Sequence, residues 1–338
     1  MKNSRWMLHG FAVVFLFTAS GCRESYTVVT SLLADGSCDR VVTVTSDSGK
    51  VPDVAFPLPN DSSWEISWKA PAQKREKYVF TARKHFAHFD SLQQEYARMG
   101  DTNKIRITVT VERKFRWFYT YFTYNEKYAA FNPFRFLPLS QFMTEDEIRR
   151  YLAGEKIDSL KKKREAWEER NMFEEYYRGL VEAARTLNDP SLPLSLIESK
   201  KEDLFTELTS SKSDDVAKET AAVLGAPVVQ TLSKELKALV DGIMHKFEIA
   251  SRADGDYVST VVMPGTILET NAEEVKGNSA VWRFAGEHLG IADVEMRVES
   301  RSVNIWALLV TGLVVVVLIV LPVALRLRQE RRAVLKSA

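Results

Sequence analysis

The sequence predicts an α+β fold, in which an antiparallel sheet domain carries an inserted helical block and one C-terminal transmembrane helix. Three observations predict it: strand-like alternation before residue 137 and again over residues 257–299, helical periodicity over residues 144–250, and an uncharged run at residues 303–325. The last strands are too few to close a core alone, so we expect them to join the first strands in one domain, residues 22–302. Two independent domains in series are the alternative.

The first 21 residues have the features of an export signal. Lys2 and Arg5 precede an apolar run over residues 6–17, which is too short to cross a bilayer. The Ala-Ser-Gly-Cys stretch that ends at Cys22 resembles a bacterial lipobox, in which the cysteine receives the acyl chains, although Ala19 stands where leucine is commoner. Cleavage by ordinary signal peptidase and retention as an uncleaved anchor are the other interpretations. We expect lipidation at Cys22.

The other end of the chain predicts a membrane span. At a rise of about 1.5 Å per residue, a helix over residues 303–325 covers about 34 Å, which exceeds a hydrocarbon core of about 30 Å. Residues 326–338 are strongly basic, with a single acid among them, Glu330. The positive-inside rule therefore predicts a basic cytoplasmic tail, and a main domain outside the cytoplasm of a bacterial cell.

Composition and charge limit the class of protein. The whole chain has a formal net charge of +1, and its basic ends leave residues 22–303 mildly acidic. Nucleic-acid binding therefore has no support. Of the two cysteines, Cys38 is left alone if Cys22 is acylated, whereas an unmodified Cys22 is close enough in sequence to pair with it.

The first β portion begins with a hairpin. Residues 26–33 and 40–45 are rich in β-branched side chains and are bounded by turn-forming Asp, Gly and Ser residues. Further strands are expected at residues 64–69 and 77–82, followed by a helix at residues 89–99 and a strand at residues 105–112. That last strand is the clearest of the chain, because apolar and polar residues alternate along its whole length.

An aromatic stretch follows this strand. Residues 115–136 hold 11 aromatic side chains, on both faces of any strand, so we expect the strand to be covered on both sides. Six of them are candidates for core or apolar-ligand contacts: Phe115, Trp117, Tyr119, Tyr121, Phe122 and Tyr124. Three interpretations remain open: the domain core, the lining of a pocket for an apolar ligand such as a lipid chain, and a contact with the membrane interface.

The helical block and the closing strands complete the chain. Thr144 and Glu147 have the spacing of a capping box, and a long amphipathic helix follows as far as Leu187. A shorter helix is expected over residues 194–209 and another after Pro227. Strands are then expected at residues 257–263, on both sides of a Gly-Asn hairpin turn at Gly277-Asn278, and at residues 294–299, a few residues before the membrane span.

Catalytic and metal signatures are weak. His85 and His88 are three residues apart, but no third ligand is evident nearby. Ser159 and Lys162 match a Ser-x-x-Lys pattern on a highly charged helix, where a chance match is expected. Glu126 lies within the aromatic stretch, either as a buried acid or hydrogen-bonded at a sheet rim. We therefore predict no catalytic residue, no metal site and no cofactor.

The last third of the chain resembles a known family. The elements that carry the resemblance are Met263-Pro264-Gly265, Thr270-Asn271-Ala272 and Gly277-Asn278 with Val281-Trp282. Together with the layout of both ends, they resemble the LppM-type lipoproteins of bacteria, although the helical block lengthens the domain. The resemblance implies a non-enzymatic envelope protein that binds lipid or glycolipid. The residues themselves suit turns and strands, because Gly265 and Gly277 permit positive φ and Trp282 packs.

These observations give two expectations for function. The first is a membrane-anchored extracytoplasmic lipoprotein that binds a lipid or another apolar envelope component, or assists envelope assembly. The second is a non-enzymatic scaffold that binds an envelope protein through the helical block. An enzyme acting on envelope lipid or peptidoglycan is a third hypothesis, and it requires His85, His88 and Glu126 to share an open cleft.

Overall fold

The computed structural model describes residues 24–47, 55–59, 62–71, 77–99, 104–132, 134, 136–155, 157–211 and 215–337. The export signal and Cys22 lie outside the described residues. Eleven strands are described: β1 Glu24–Leu32, β2 Cys38–Ser46, β3 Glu65–Lys69, β4 Tyr78–Phe86, β5 Ile107–Phe115, β6 Tyr119–Tyr128, β7 Gly255–Val262, β8 Thr266–Thr270, β9 Glu274–Lys276, β10 Ser279–Ala285 and β11 Val294–Val303. Eight α-helices accompany them: α1 Phe89–Arg98, α2 Glu145–Leu152, α3 Asp158–Leu187, α4 Leu194–Ser199, α5 Lys201–Ser210, α6 Val216–Leu224, α7 Ser233–Ser251 and α8 Ile305–Ser337. The fold is α+β, as predicted.

The strands form two sheets, and both mix strands from before and after the helices. The larger sheet has the order β3-β4-β2-β1-β7-β10-β9, and the smaller has the order β5-β6-β11-β8. One pair departs from the predicted antiparallel pattern, because β1 and β7 run parallel, with Glu24 opposite Gly255. A parallel pair needs a long connection between its strands, and the chain between β1 and β7 includes the helical block.

The inner faces of the two sheets share one hydrophobic core. Val28 and Val42 of the larger sheet, Phe122 and Val298 of the smaller sheet, and Leu92 of α1 are all buried in it. Alternation explains this arrangement, because every second residue of β1, β2 and β6 is buried. The burial of so many apolar side chains from both sheets is the main stabilising term of the domain.

The helices from α3 to α7 pack mainly around a second core of their own. Phe173, Leu180, Leu204, Ala221 and Leu236 are buried there, away from the residues of the sheet core. Tyr151 of α2 is instead buried in a smaller third cluster with Met143 and Leu160. The long helix expected to follow Thr144 is divided, because α2 ends before Gly154, whose φ of 79° interrupts the helical path. The expected capping box is present, with the Glu147 amide donating to Thr144 Oγ1 at 3.3 Å and the Thr144 amide donating to Glu147 Oε2 at 3.0 Å.

Helix α8 continues directly from β11. Its segment Ile305–Arg326 is long and apolar enough to cross a membrane, with a mean hydropathy of 3.1, and none of the window that defines it is buried against the described part of the chain. A helix of this kind would be unstable in water with its apolar surface exposed on all sides. The described part of the chain therefore contains one helix suited to a lipid environment, at the position that the sequence predicts.

The strands have two distinct ends relative to α8. Val303 at the end of β11 lies opposite Tyr119 at the start of β6, and we call this the membrane-proximal end. At the other end, Tyr128 of β6 lies near Tyr257 of β7, with ring centroids 6.4 Å apart, and Tyr257 stacks on Tyr26 of β1. The helical block therefore leaves and re-enters the sheets at the membrane-distal end.

The short sequence elements that resemble LppM-type proteins have structural roles here. Gly265 and Gly277 have φ values of 83° and 63°, as expected for turns. Asn271 Oδ1 accepts from Trp282 Nε1 at 2.9 Å and from the Arg297 amide at 2.8 Å, so this side chain joins the larger sheet to the smaller one. Trp282 is buried, as expected.

Candidate membrane-interface site

The six candidate aromatic residues are divided between two environments by the pleat of β6. Phe122 and Tyr124 point into the core and are fully buried, whereas Tyr119 and Tyr121 point to the outer face and are half-buried. Strand β6 is thus covered on one face rather than on both, in contrast to the expectation. Phe115 ends β5 opposite Thr120, Trp117 lies in the turn between β5 and β6, and both side chains are about half exposed.

This hairpin contacts the first turns of α8. The ring of Phe115 stacks on Trp306 with centroids 6.1 Å apart and planes inclined by 6°, and Trp117 meets Trp306 edge-on at 5.3 Å. Trp117 Nε1 donates to Thr311 Oγ1 at 2.8 Å, two turns into the helix. We call Phe115, Trp117, Phe118 and Trp306 the aromatic collar, since they are exposed and lie together at the start of the apolar helix.

Asn304 fixes the collar to the domain. It lies between β11 and α8, and its carbonyl accepts from the Ala307 amide in the first turn of the helix at 2.9 Å. Its side-chain Nδ2 donates to the carbonyls of Arg116 and Trp117 at 2.7 and 3.2 Å, and its Oδ1 accepts from Thr120 Oγ1 at 2.9 Å. Three side-chain bonds to one hairpin set the direction in which the helix leaves the sheet.

Cationic side chains surround the collar. Arg113, Lys114, Arg116 and Arg301 are exposed, and the guanidinium of Arg301 lies 4.9 Å from the centre of the Tyr119 ring. Exposed Trp and Tyr rings flanked by Lys and Arg next to an apolar helix are typical of the boundary between hydrocarbon and headgroups. The arrangement suits a membrane interface, in which the rings lie among the lipid glycerol groups.

The interior of the domain contains a second polar cluster, centred on Arg40. Its guanidinium forms an ion pair with Glu126 and donates to Tyr96 Oη at 2.9 Å and to Thr30 Oγ1 at 2.7 Å. Tyr124 Oη donates to the second oxygen of Glu126 at 2.8 Å. Glu126 is thus buried between the sheets rather than hydrogen-bonded at a sheet rim, and its partners compensate much of the cost of burial.

The other candidate residues do not meet in one site. His85 forms an exposed pair with Asp39 at 2.8 Å, and His88 precedes α1, whereas Glu126 is buried in the core. Ser159 and Lys162 are exposed near the start of α3. Within the described residues, no group of three or more His, Cys, Asp or Glu side chains is arranged to hold a metal ion. Cys38 is buried and unpaired, and burial raises the pKa of its thiol to about 12.

Sequence reasoning missed four residues of these clusters. Trp306 was hidden in the apolar run, although a Trp at the edge of a span is itself a signal for the interface. Asn304 and Thr311 gave no signal of a contact, because single polar residues in an apolar run are compatible with membrane insertion. Arg40 gave no signal, because a single basic residue at the start of a strand is normally exposed.

Comparison with known proteins gives a limited result. No protein-family model matches the chain, and no curated protein matches it in sequence. Among solved structures, it is similar to the NMR structure of the folded domain of Mycobacterium tuberculosis LppM, with 9% identity and a TM-score of 0.34, over 84% of this chain and 93% of that one. At this TM-score the similarity carries no argument for function, which has to rest on the geometry of this chain.

Proposed function

We propose that the chain is a single-pass membrane protein of the bacterial cell envelope whose α+β domain acts outside the cytoplasm, at the membrane surface, in direct contact with lipid. The observation that carries the proposal is the contact of the β5–β6 hairpin with α8, in which Trp117 reaches Thr311 and Phe115 stacks on Trp306. Since these rings lie beside the first two turns of an apolar helix, inserting the helix brings them into the lipid interface.

The ligand in this proposal is the bilayer surface itself. Phe122, Tyr124 and Tyr128 fill the shared core of the sheets, so the aromatic stretch divides between packing and the collar. The proposed function is therefore non-enzymatic: the domain is held rigidly on lipid, where it binds or presents an apolar envelope component. The orientation, with the basic tail in the cytoplasm, follows from the charge of the residues after Leu325.

Quenching of tryptophan fluorescence by brominated phosphatidylcholine tests the lipid contact. The full chain is reconstituted in bilayers of this neutral lipid. The emission of Trp117 is taken as the difference between the unaltered chain and Trp117→Phe, and this difference is measured once in brominated and once in unbrominated lipid. We expect bromine on the acyl chain near the glycerol to quench the Trp117 component strongly. Trp167→Phe is the control, because Trp167 is buried in the helical block at the membrane-distal end. An unquenched Trp117 would show that the hairpin does not touch lipid.

A scaffold that binds an envelope protein is the second candidate, and one observation favours it. The helical block has its own core, and it joins the sheets where Tyr128 and Tyr257 are neighbours, at the end farthest from α8. Replacing residues 144–250 by a short Gly-Ser linker should then leave the sheets folded and remove the binding of a partner. Unfolding of the whole domain would instead make the block a structural part of it.

A further inference from the structure

The four cations around the aromatic collar point to a lipid class. Arg113, Lys114, Arg116 and Arg301 are exposed, and residues 113–119 and 300–306 contain no acidic side chain. The rings of the collar are apolar, so these four side chains are the charged groups nearest to the place where α8 would enter lipid. Clustered Lys and Arg beside a membrane helix attract anionic headgroups.

The strand register aligns two of these charges. Lys114 of β5 and Arg301 of β11 both lie opposite Tyr121 of β6, so a row of cation, aromatic ring and cation crosses the outer face of the smaller sheet. Arg301 precedes the first residue of α8 by four positions, about 13 Å along a strand. Long Arg and Lys side chains extend several ångströms toward the interface, which brings their charges to the phosphate layer.

The acidic neighbours of this row do not cancel it. Glu112 pairs with Lys114 at 2.8 Å, but both side chains are more than half exposed, and such a pair is worth little in water and exchanges readily for a phosphate. Arg113 Nη1 donates to the backbone carbonyl of Asp35 at 3.2 Å, a contact that leaves its charge uncompensated. Glu299 of β11 and Glu269 of β8 lie opposite each other on the same outer face, one step farther from α8 than Arg301. The positive charge is therefore concentrated in the residues nearest the helix, 113–119 and 300–306.

We infer that the four cations Arg113, Lys114, Arg116 and Arg301, which we call the cationic row, select anionic phospholipids through their headgroup phosphates. The inference rests on the proposed contact of the collar with the membrane and adds the class of lipid that the contact prefers. Each phosphate is held by charge and by Arg N–H donors, while the collar rings lie among the glycerol and upper acyl groups. The occupant is the lipid of the membrane that α8 spans, rather than a soluble phosphate.

Lipid-selectivity measurements on the full chain test the inference. The protein is reconstituted in nanodiscs of equal parts phosphatidylglycerol and phosphatidylcholine, and the bound fraction of each is measured with spin-labelled lipids. Arg116→Gln/Arg301→Gln should reduce the excess of phosphatidylglycerol by at least about twofold, since one cation near an anionic surface contributes up to about fivefold. The effect should weaken in high salt.

The matched control removes two charges from the same sheet farther from the membrane. Lys127→Gln/Arg297→Gln changes β6 and β11 by the same total charge, on the same outer face, and should leave the lipid excess unchanged. The basic tail after Leu325 is present in every variant, so its contribution cancels in the comparison. The inference would be overturned if Arg116→Gln/Arg301→Gln had the same lipid selectivity as the unaltered chain. It would also be overturned if the control variant lost as much selectivity as Arg116→Gln/Arg301→Gln.

The two proposals fail differently. Suppose that Trp117 is quenched in neutral phosphatidylcholine and that Arg116→Gln/Arg301→Gln has no effect on lipid selectivity. The lipid contact would then be supported, and the preference for anionic lipid would be refuted. Absence of Trp117 quenching in both neutral and anionic bilayers would remove the lipid contact itself. Circular dichroism of each variant checks that it is folded, so that a loss of lipid preference cannot be due to unfolding.

Discussion

Asn304 Oδ1 accepts a hydrogen bond from Thr120 Oγ1 at 2.9 Å, which joins the residue before the membrane helix to the strand beside it. The same carboxamide donates to the hairpin carbonyls of Arg116 and Trp117. The last strand and the helix therefore meet at a fixed joint, with no free linker between them. Under the proposed function, a helix inserted in the membrane would therefore hold the domain close to lipid in a fixed orientation.

Asn304→Ala should loosen this joint. The substitution removes three side-chain hydrogen bonds, each worth about 0.5–1.5 kcal/mol net, so we expect a loss of about 1–3 kcal/mol in the local stability of the hairpin. Hydrogen exchange followed by mass spectrometry should show faster exchange of the amides of residues 116–120. Asn125→Ala is the control, since Asn125 lies on the same strand away from the joint. Unchanged exchange at the hairpin would contradict the role of Asn304.

Phe115 and Trp306 should be energetically coupled. Their rings are stacked with centroids 6.1 Å apart, and aromatic pairs of this kind contribute about 0.5–1.5 kcal/mol beyond their buried area. A double-mutant cycle with Phe115→Leu and Trp306→Leu, measured by urea unfolding of the full chain in detergent micelles, should give a coupling in this range. Strictly additive losses would mean that the two rings share an environment without supporting each other.

Arg40→Met should be among the most damaging single substitutions in the sheets. It leaves the buried carboxylate of Glu126 without its cation, at a cost of about 3–5 kcal/mol. Arg40→Met/Glu126→Gln should recover at least about 1 kcal/mol of that loss in the free energy of unfolding, because no buried charge remains. Arg149→Ala, which breaks an exposed pair with Asp146, should cost under about 0.5 kcal/mol. A similar loss from Arg149→Ala would show that the unfolding assay does not report burial.

Two glycine substitutions should differ in cost. Gly277 has open space around the position of a Cβ, so Gly277→Ala has only its positive φ to overcome, about 1 kcal/mol. At Gly265, which also has positive φ, a Cβ would overlap the backbone carbonyl of Arg301, and Gly265→Ala should cost about 3 kcal/mol or more. Thermal unfolding of both variants checks the order, and equal melting temperatures would refute the backbone contact at Gly265.

The stability of the protein should fall as the pH rises toward neutrality. Burial on α3 raises the pKa of Glu168 from its ordinary 4.5 to about 7, against the opposing effect of Arg164. The folded state then binds a proton that the unfolded state has released, so the free energy of unfolding decreases between about pH 4.5 and pH 7 and is lowest above pH 7. Because the Glu168 side chain is 23% exposed, we expect roughly 1–3 kcal/mol over this range.

Glu168→Gln tests this pH dependence. The amide cannot ionise, so the slope of stability between pH 4.5 and pH 7 should flatten, and the variant should be the more stable protein at pH 8. Glu155→Gln, which neutralises an acid in an exposed pair with Arg150, should keep the original slope. An unaltered slope in Glu168→Gln would assign the pH dependence to other groups.

Local patterns predicted most of the elements, and contacts distant in sequence explain the rest. Alternation at residues 105–112 and the capping box at Thr144 were sufficient to place a strand and a helix start. The parallel pairing of β1 with β7 had no local signal, since it joins segments more than 200 residues apart. The collar was similarly hidden, because Phe115 and Trp306 are neighbours only after β11 pairs with β6.

The parallel pairing of β1 with β7 also bears on the lipid expected at Cys22. Strand β1 starts at Glu24, beside Gly255, at the end of the sheets opposite α8. The ten residues of β11 run between the two ends of the sheets, which are therefore about 30 Å apart. Only Arg23 lies between Cys22 and Glu24, and the two steps along the chain span at most about 7 Å. Acyl chains on Cys22 and helix α8 can therefore share one bilayer only when the strands lie along its surface. Because the joint at Asn304 fixes the angle between β11 and α8, acylation of Cys22 would require the helix to enter the bilayer with the sheets lying along its surface, which adds a face of the sheets to the lipid contact of Arg301 and the collar.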